Sequence, residues 1–183
     1  MSVEQERDQL FRLLKAQAFF RGKFILSSGK TSDFYLDARL VSLSPAGAYL
    51  TAKIMLDMVK NDKVSAIGGP TLGADPMVGA IASLSHQAGK GVNTFIIRKQ
   101  PKAHGKQQQI EGPALPEGGR IAIIDDVATT GKAFIESIEV LAKMKIKPVK
   151  AICIIDRGEG AREAVAKYGV PMESIFTIQE FVQ

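Results

Sequence analysis

The stretch IAIIDDVATTGKA, residues Ile121–Ala133, joins an apolar run to two adjacent carboxylates and a glycine-containing turn. Its four leading aliphatic residues are typical of a strand covered on both faces, and the residues from Lys132 onward are typical of a helix. In an open parallel sheet, ligands bind beyond the carboxyl ends of the strands. Because Asp125 and Asp126 fall at such an end, the stretch predicts an α/β fold with a ligand site at this turn.

Short apolar segments alternate with amphipathic ones along most of the chain. This alternation favours parallel strand pairing through right-handed crossovers, with helices on both faces of the sheet. We therefore expect a single α/β domain over residues 1–183, with a mostly parallel sheet flanked by helices. The predicted strands are residues 64–68, 92–97, 121–126, 149–156 and 174–178, and the predicted helices are residues 2–20, 44–60, 73–88, 132–145 and 160–168.

The first forty residues depart from that alternation. Ser2 and Gln5 fit a capping box at the start of the first helix. Two short strand-like segments follow, KFIL (residues 23–26) and DFYLD (residues 33–37), with a turn sequence between them that predicts a hairpin. We expect this part, about residues 1–40, to form a small hood on the domain.

Charge and composition restrict the possible classes of protein. The formal net charge is +5, which suggests an anionic ligand, nucleic acid or a membrane surface as partner. No apolar run approaches the ~18 residues that span a bilayer, and the first ten residues are polar, unlike a secretory signal. The single cysteine, Cys153, lies in the apolar run AICII, which indicates a buried strand residue and excludes an internal disulfide. We expect a cytoplasmic protein with no membrane partner.

The segment from Arg98 to about Gly119 shows no strand or helix periodicity, and its first part, RKQPKAHGK, is strongly basic. A connection of this length without secondary structure is usually functional or disordered. We expect a mobile loop at about residues 98–112 that takes part in the site.

The turn after Asp126 is suited to an anion. Thr129, Thr130 and Gly131 lead into a helix, so that backbone N–H groups and the positive end of the helix dipole point at one spot. One side of the turn offers carboxylates to hydroxyl groups or a divalent cation, and the other offers donors to a phosphate. A ribose 5-phosphate fits both sides, whereas the alternative interpretation is a helix-capping turn that binds no ligand.

Four aliphatic residues followed by Asp-Asp-Val-Ala-Thr-Thr-Gly resemble the signature of the type I phosphoribosyltransferases. Members of that family transfer ribose 5-phosphate from phosphoribosyl pyrophosphate (PRPP) to a nitrogen base with Mg²⁺ present. The sequence RKQPKAHG, residues 98–105, is similar to the catalytic loop of the orotate phosphoribosyltransferases, with its pattern Arg-Lys-x-x-Lys-x-His-Gly. The resemblance implies orotate as the acceptor, with orotidine 5′-monophosphate and pyrophosphate as products, in de novo pyrimidine biosynthesis.

The resemblance also implies the roles of the basic loop and of the strand-to-helix turn. Cations of the loop would neutralise the departing pyrophosphate, which gains negative charge as the ribose C1–O bond breaks. The residues implied in catalysis are Arg98, Lys99, Lys102, His104, Asp125 and Asp126. Those implied in PRPP binding are the same six together with Val127, Ala128, Thr129, Thr130, Gly131, Lys132 and Ala133.

Two further stretches are similar to the orotate-binding parts of the family. FILSSGKTSDFYLD, residues 24–37, resembles the hood motif and implies that Tyr35 and Leu36 lie at the orotate ring. IIDRGEGA, residues 154–161, implies that Arg157 pairs with the orotate carboxylate, and Thr129 would add a hydrogen bond to the base.

The alternative for Arg157 is a surface ion pair with Glu159 or Asp156. The stretch GGPTLGADP, Gly68–Pro76, resembles the pyrophosphate-binding loop of the family but lacks the lysine that some members carry there, and its alternative is a plain strand-to-helix turn. Ser27 likewise stands where some members have a lysine.

The cofactor and partners follow from the resemblance as well. Mg²⁺ would be held mainly through PRPP and water rather than by direct protein ligands. The enzyme would be a homodimer whose loop is shared across the interface, with no nucleic-acid partner. Two other functions stay open: a phosphoribosyltransferase for another base, which Arg157 argues against, and a non-catalytic nucleotide-sensing regulator on the same fold.

Overall fold

A computed structural model of the 183-residue chain describes residues 2–25, 29, 31–100 and 109–183. Its centre is a six-stranded sheet in which four of the five strand pairings are parallel, and only the pairing of the short edge strand with its neighbour is antiparallel. The prediction of a mostly parallel α/β fold is therefore confirmed. In spatial order the strands are β5 (Ile110–Glu111), β4 (Asn93–Ile97), β3 (Ala66–Pro70), β6 (Ile121–Ala128), β7 (Lys150–Asp156) and β8 (Met172–Thr177).

Helices cover both faces of the sheet, as the apolar strands require. Alternate residues of β6 point to different layers: Ala122 and Ile124 belong to one buried cluster, and Ile121 and Ile123 belong to the other. The first cluster includes residues of three helices, α1 (Val3–Gln17), α3 (Pro45–Met58) and α4 (Asp75–Gln87). The second cluster includes residues of α5 (Lys132–Ala142) and α6 (Ala161–Ala166).

The first helix begins as its sequence indicates. The side chain of Ser2 accepts a hydrogen bond from the N–H of Gln5, and the side chain of Gln5 accepts one from the N–H of Ser2, which completes the predicted capping box. The helix ends at Gln17 rather than at residue 20, because the chain turns at Ala18 and enters a strand at Phe19.

The predicted hairpin is present near the N-terminus and extends further than the sequence indicated. Its strands, β1 (Phe19–Ile25) and β2 (Thr31–Leu36), pair antiparallel, with an irregular register between Arg21 and Phe24. Phe19 stacks on Phe34 at a ring separation of 5.5 Å and also contacts Phe181 near the C-terminus. These contacts dock the hairpin on the main body of the fold.

Three short elements were missed because each spans four residues or fewer, too few to show a periodicity. They are α2 (Arg39–Ser42), β5 and α7 (Gln179–Val182). The helices α5 and α6 are shorter than predicted, and they end at Ala142 and Ala166. Cys153 is fully buried in β7, and burial raises the pKa of its thiol. Within the described ranges, no helix is both long and apolar enough to cross a membrane.

Candidate active site

The two adjacent carboxylates lie near the carboxyl end of β6, where the sequence placed them. Asp125 is 7 % exposed and Asp126 is half-buried. The N–H of Asp126 donates to Oδ1 of Asp125 at 2.9 Å, and the N–H of Val127 donates to Oδ1 of Asp126 at 2.8 Å. Each carboxylate is therefore oriented by the backbone of the following residue.

The environment of Asp125 disfavours its charged form. Burial raises the pKa of this carboxyl well above its ordinary value, and the neighbouring charge of Asp126 adds to the increase. The hydrogen bond from the N–H of Asp126 opposes this effect and lowers the pKa. A ligand that brings hydroxyl donors or a cation to this position would stabilise the ionised form.

The residues after the carboxylates line an open cleft. A cleft of about 260 Å³ is lined by Asp125 and by every residue from Val127 to Ala133. Gly131, with φ +80°, occupies the N-cap position of α5, and no side chain caps this helix end. The backbone N–H groups of the first turn are consequently available to an anion.

The loop between β3 and α4 lies directly against the carboxylates. A Cβ atom built on Gly73 would fall 2.0 Å from Oδ1 of Asp125 and 2.6 Å from Oδ1 of Asp126, so that only glycine fits here without displacement. The Thr71–Leu72 peptide bond of this loop is cis, and the hydroxyl of Thr71 donates to Asp75 at 2.7 Å. The stretch Gly68–Pro76 therefore packs against the carboxylate pair at Gly73.

Arg39 is a site residue that the sequence analysis missed. Its guanidinium donates two hydrogen bonds to Asp37, at 2.8 and 2.9 Å, and its Nε lies 4.0 Å from Oδ2 of Asp126. The hydrogen bond from Arg39 holds the pKa of the Asp37 carboxyl below its usual value. No motif marked this arginine, because its contact with Asp126 joins residues far apart in the chain.

Arg157 lies at the carboxyl end of β7, beside the carboxylate-bearing strand. Its N–H donates to the carbonyl of Ala128 at 2.9 Å, which places it next to Thr129. The side chain is 14 % exposed, and its guanidinium lies 5.4 Å from the centre of the Phe34 ring. Of the two ion pairs considered for Arg157, the structure contains the one with Glu159.

The other candidate partner, Asp156, is fully engaged elsewhere. Its carboxylate accepts hydrogen bonds from Arg162 at 2.7 Å and from the N–H of Gly158 at 2.9 Å. Asp156 therefore holds the chain after β7 in place and leaves Arg157 free of it.

The hairpin residues implied for the base lie on different sides of β2. The ring of Tyr35 contacts Phe20 and Phe24 rather than Arg157, and the side chain of Leu36 is buried. The aromatic ring beside Arg157 therefore comes from another residue. Phe34 occupies that position. The alternation of side chains along a strand places Phe34 and Tyr35 on opposite faces, but which of the two meets Arg157 depends on how the hairpin packs on the domain.

Arg98 and Lys99 line a second cleft, of about 470 Å³, together with Asp125 and Thr71. The N–H of Arg98 donates to the carbonyl of Gln109 at 2.8 Å, and the side chain of Gln109 returns a bond to the carbonyl of Arg98 at 2.9 Å. These bonds join the first residue of the basic stretch to Gln109, which lies just beyond its last residue. Lys102 and His104, the other predicted loop residues, lie outside the described residues.

Within the described ranges, no group of three or more His, Cys, Asp or Glu side chains is arranged to hold a metal ion by itself. The oxygens of Asp125 and Asp126 are nevertheless the kind of ligand that Mg²⁺ accepts when a substrate supplies the remaining oxygens.

The chain matches known proteins along almost its whole length. Residues 44–183 match the phosphoribosyl transferase domain. An orotate phosphoribosyltransferase of Aquifex aeolicus is 38 % identical over 180 residues, which cover 97 % of this chain and 98 % of the relative. The crystal structure of the Mycobacterium tuberculosis orotate phosphoribosyltransferase with Fe(III) dicitrate has a TM-score of 0.86 at 30 % identity, and covers 97 % of this chain and 99 % of its own.

A second crystal structure of the Mycobacterium tuberculosis enzyme, in complex with PRPP, has a TM-score of 0.81 at 26 % identity and covers 97 % of this chain and 99 % of its own. The chain therefore belongs to the phosphoribosyl transferase family and, by its full-length relatives, to the orotate phosphoribosyltransferases within it.

Asp125→Asn should stabilise the fold while it removes activity. The amide retains an acceptor for the N–H of Asp126 but carries no charge, so we expect the free energy of unfolding to rise by about 1 kcal/mol at neutral pH. Because the folded-state pKa of Asp125 is raised, the cost of its buried charge is present above that pKa and disappears as pH falls toward the unfolded-state pKa. Urea denaturation across this pH range measures the effect.

The matched control is Asp126→Asn, since Asp126 is less buried and lies beside Arg39. A stability gain in Asp125→Asn that is independent of pH, or an equal gain in the control, would contradict the assignment of the cost to the Asp125 charge.

Gly73→Ala should displace the carboxylates, because its methyl group would overlap Oδ1 of both. We expect turnover to fall at least tenfold, measured as initial rates with PRPP and orotate, because small displacements of reacting groups have large effects on rate. The control is Gly79→Ala, on an open surface of α4, where alanine meets no atom within 4 Å and should stabilise the helix by ~0.5–1 kcal/mol. Normal activity in Gly73→Ala would show that the loop accommodates the methyl group without displacing the carboxylates, which would contradict this prediction.

Proposed function

We propose that this chain catalyses the Mg²⁺-dependent transfer of ribose 5-phosphate from PRPP to orotate, which gives orotidine 5′-monophosphate and pyrophosphate. The observation that carries the proposal is the convergence of three features at one sheet edge. They are the carboxylate pair of Asp125 and Asp126, the uncapped N-terminus of α5, and the Arg157 guanidinium.

Asp125 and Asp126 would bind the ribose hydroxyls, directly or through water on the metal. The turn from Val127 to Ala133 would bind the 5′-phosphate with its backbone N–H groups. When bound with PRPP, Mg²⁺ supplies positive charge that offsets the diphosphate. Both carboxylates suit a sugar whose ring becomes positively charged, as in the oxocarbenium-like transition state expected for this transfer.

Arg98, Lys99, Lys102 and His104 would neutralise the leaving pyrophosphate. The position of Arg98 and Lys99 in a cleft shared with Asp125 supports this role, because the leaving group departs from the sugar that the carboxylates hold. Cations that act on the charge as it develops stabilise the transition state more than the ground state.

The base would lie between the hairpin and the end of β7. Arg157 would pair with the orotate carboxylate, with Thr129 beside it, and Tyr35 and Leu36 would contact the ring through the β2 backbone. The contact between Phe34 and the guanidinium supports this arrangement, because the ring restricts the plane in which Arg157 can present its donors.

The dimer remains part of the proposal. Leu40, Leu43 and Leu72 are 50 %, 70 % and 64 % exposed, and they line one cleft with Arg39 next to the carboxylate pair. An apolar patch of this kind is typical of a protein interface. A partner bound to this patch would lie beside Arg39 and the carboxylate pair. The cytoplasmic location and the absence of nucleic-acid partners also remain predictions.

Arg157→Ala should reduce kcat/KM for orotate about 100-fold, which corresponds to ~2.7 kcal/mol, because charge-assisted hydrogen bonds to the carboxylate are lost. The KM for PRPP should change little. Arg157→Lys, which retains the charge but not the planar fork, should be intermediate. The absorbance of orotate, followed over time with PRPP and Mg²⁺, gives these constants for the wild type and for both variants.

A panel of purine and pyrimidine bases should accompany that assay. If the enzyme converted a base without a carboxylate and did not convert orotate, the acceptor would be that base and the assignment of orotate would be wrong. A salt-dependent affinity for nucleic acid in a protein without turnover would favour the regulator instead.

Loop sharing predicts complementation between two inactive chains. If Lys102 serves the neighbouring site, a dimer of one Lys102→Ala chain and one Asp125→Asn chain has one intact site. An equal mixture, refolded together, should recover about a quarter of the wild-type rate, because half of the dimers are mixed and each has one working site of two. If mass spectrometry showed that mixed dimers had formed and activity did not recover, loop sharing would be contradicted.

A further inference from the structure

The guanidinium of Arg157 is close to a carboxylate that it does not bind well. Nε of Arg157 lies 3.0 Å from Oε1 of Glu159, within ion-pair distance. The buried N–H at Nε nevertheless makes no hydrogen bond within the described residues, because it does not point at that oxygen. The pair is therefore held by charge attraction without the alignment that gives a strong charge-assisted bond.

Glu159 is placed so that it can leave. Its side chain is 44 % exposed, whereas that of Arg157 is 14 % exposed, so the carboxylate reaches water as soon as it turns away. It is flanked by Gly158 with φ +67° and Gly160 with φ +95°, and glycine permits backbone changes that other residues resist. Asp156, by contrast, is fixed by Arg162 and by the N–H of Gly158.

We propose that Glu159 is an internal competitor for the base-binding site: its carboxylate neutralises Arg157 in the empty enzyme and is displaced by the carboxylate of the incoming pyrimidine. This inference rests on the proposed function. A largely buried guanidinium without a counterion is costly, and Glu159 offsets that cost between turnovers. A substrate carboxylate that aligns with two N–H groups replaces the misaligned contact.

Glu159 also affects the choice of base. A base without a carboxylate leaves the Arg157–Glu159 contact in place and gains no ion pair, so its affinity does not depend on Glu159. A base with a carboxylate binds only the fraction of enzyme in which Arg157 is released, which raises the apparent KM by the inverse of that fraction. Glu159 therefore lowers the affinity for the true substrate alone.

Glu159→Gln tests the inference, with Glu163→Gln as the matched control. Glu163 is an exposed glutamate in the first turn of α6, and its substitution changes the net charge equally. We expect Glu159→Gln to lower the KM for orotate about three- to tenfold and to leave the KM for PRPP unchanged. Inhibition by uracil, which lacks the carboxylate, should be the same in both variants and in the wild type.

An unchanged or higher KM for orotate in Glu159→Gln, beside an active wild type, would overturn the inference, since a higher value means that Glu159 orients Arg157. A similar decrease in the inhibition constant of uracil in Glu159→Gln would also overturn the inference. So would a similar decrease in the KM for orotate in Glu163→Gln, because the effect would then come from the change in net charge. Absence of orotidine 5′-monophosphate formation by the wild type would instead overturn the proposed function, and this inference with it.

Discussion

Burial of Asp125 beside Asp126 is the constraint to which the rest of the site is adapted. Two carboxylates on consecutive residues, one of them almost inaccessible to water, are unfavourable in an isolated protein. Backbone N–H groups orient both, Arg39 approaches the outer one, and Gly73 leaves the space that they need. The fold supplies the stability that this arrangement consumes, through strands covered on both faces.

The parts of the structure that the sequence predicted are those encoded by local patterns. Apolar strands such as Ile121–Ile124, the capping box at Ser2, and the glycine turn into α5 each depend on residues close together in the chain. The carboxylate pair and the glycine-containing turn after it could be predicted for the same reason, because a single strand-to-helix junction holds both.

The contacts that escaped prediction join distant segments. Neither the approach of Arg39 to Asp126 nor that of Phe34 to Arg157 is visible in a local pattern. Gly73 could be identified as part of a glycine-rich loop, but the reason for glycine there is the position of Asp125, about fifty residues later. The short elements α2, β5 and α7 depend on tertiary packing in the same way.

Cys153 has a practical consequence. It is the chain's sole thiol, and it lies at 0 % exposure in the middle of the sheet, where burial keeps it protonated and out of contact with reagents. A second cysteine introduced on the surface would therefore be the one position that reacts with a maleimide dye or a spin label. Distance measurements between such labels in two associated chains could then proceed on an otherwise native background.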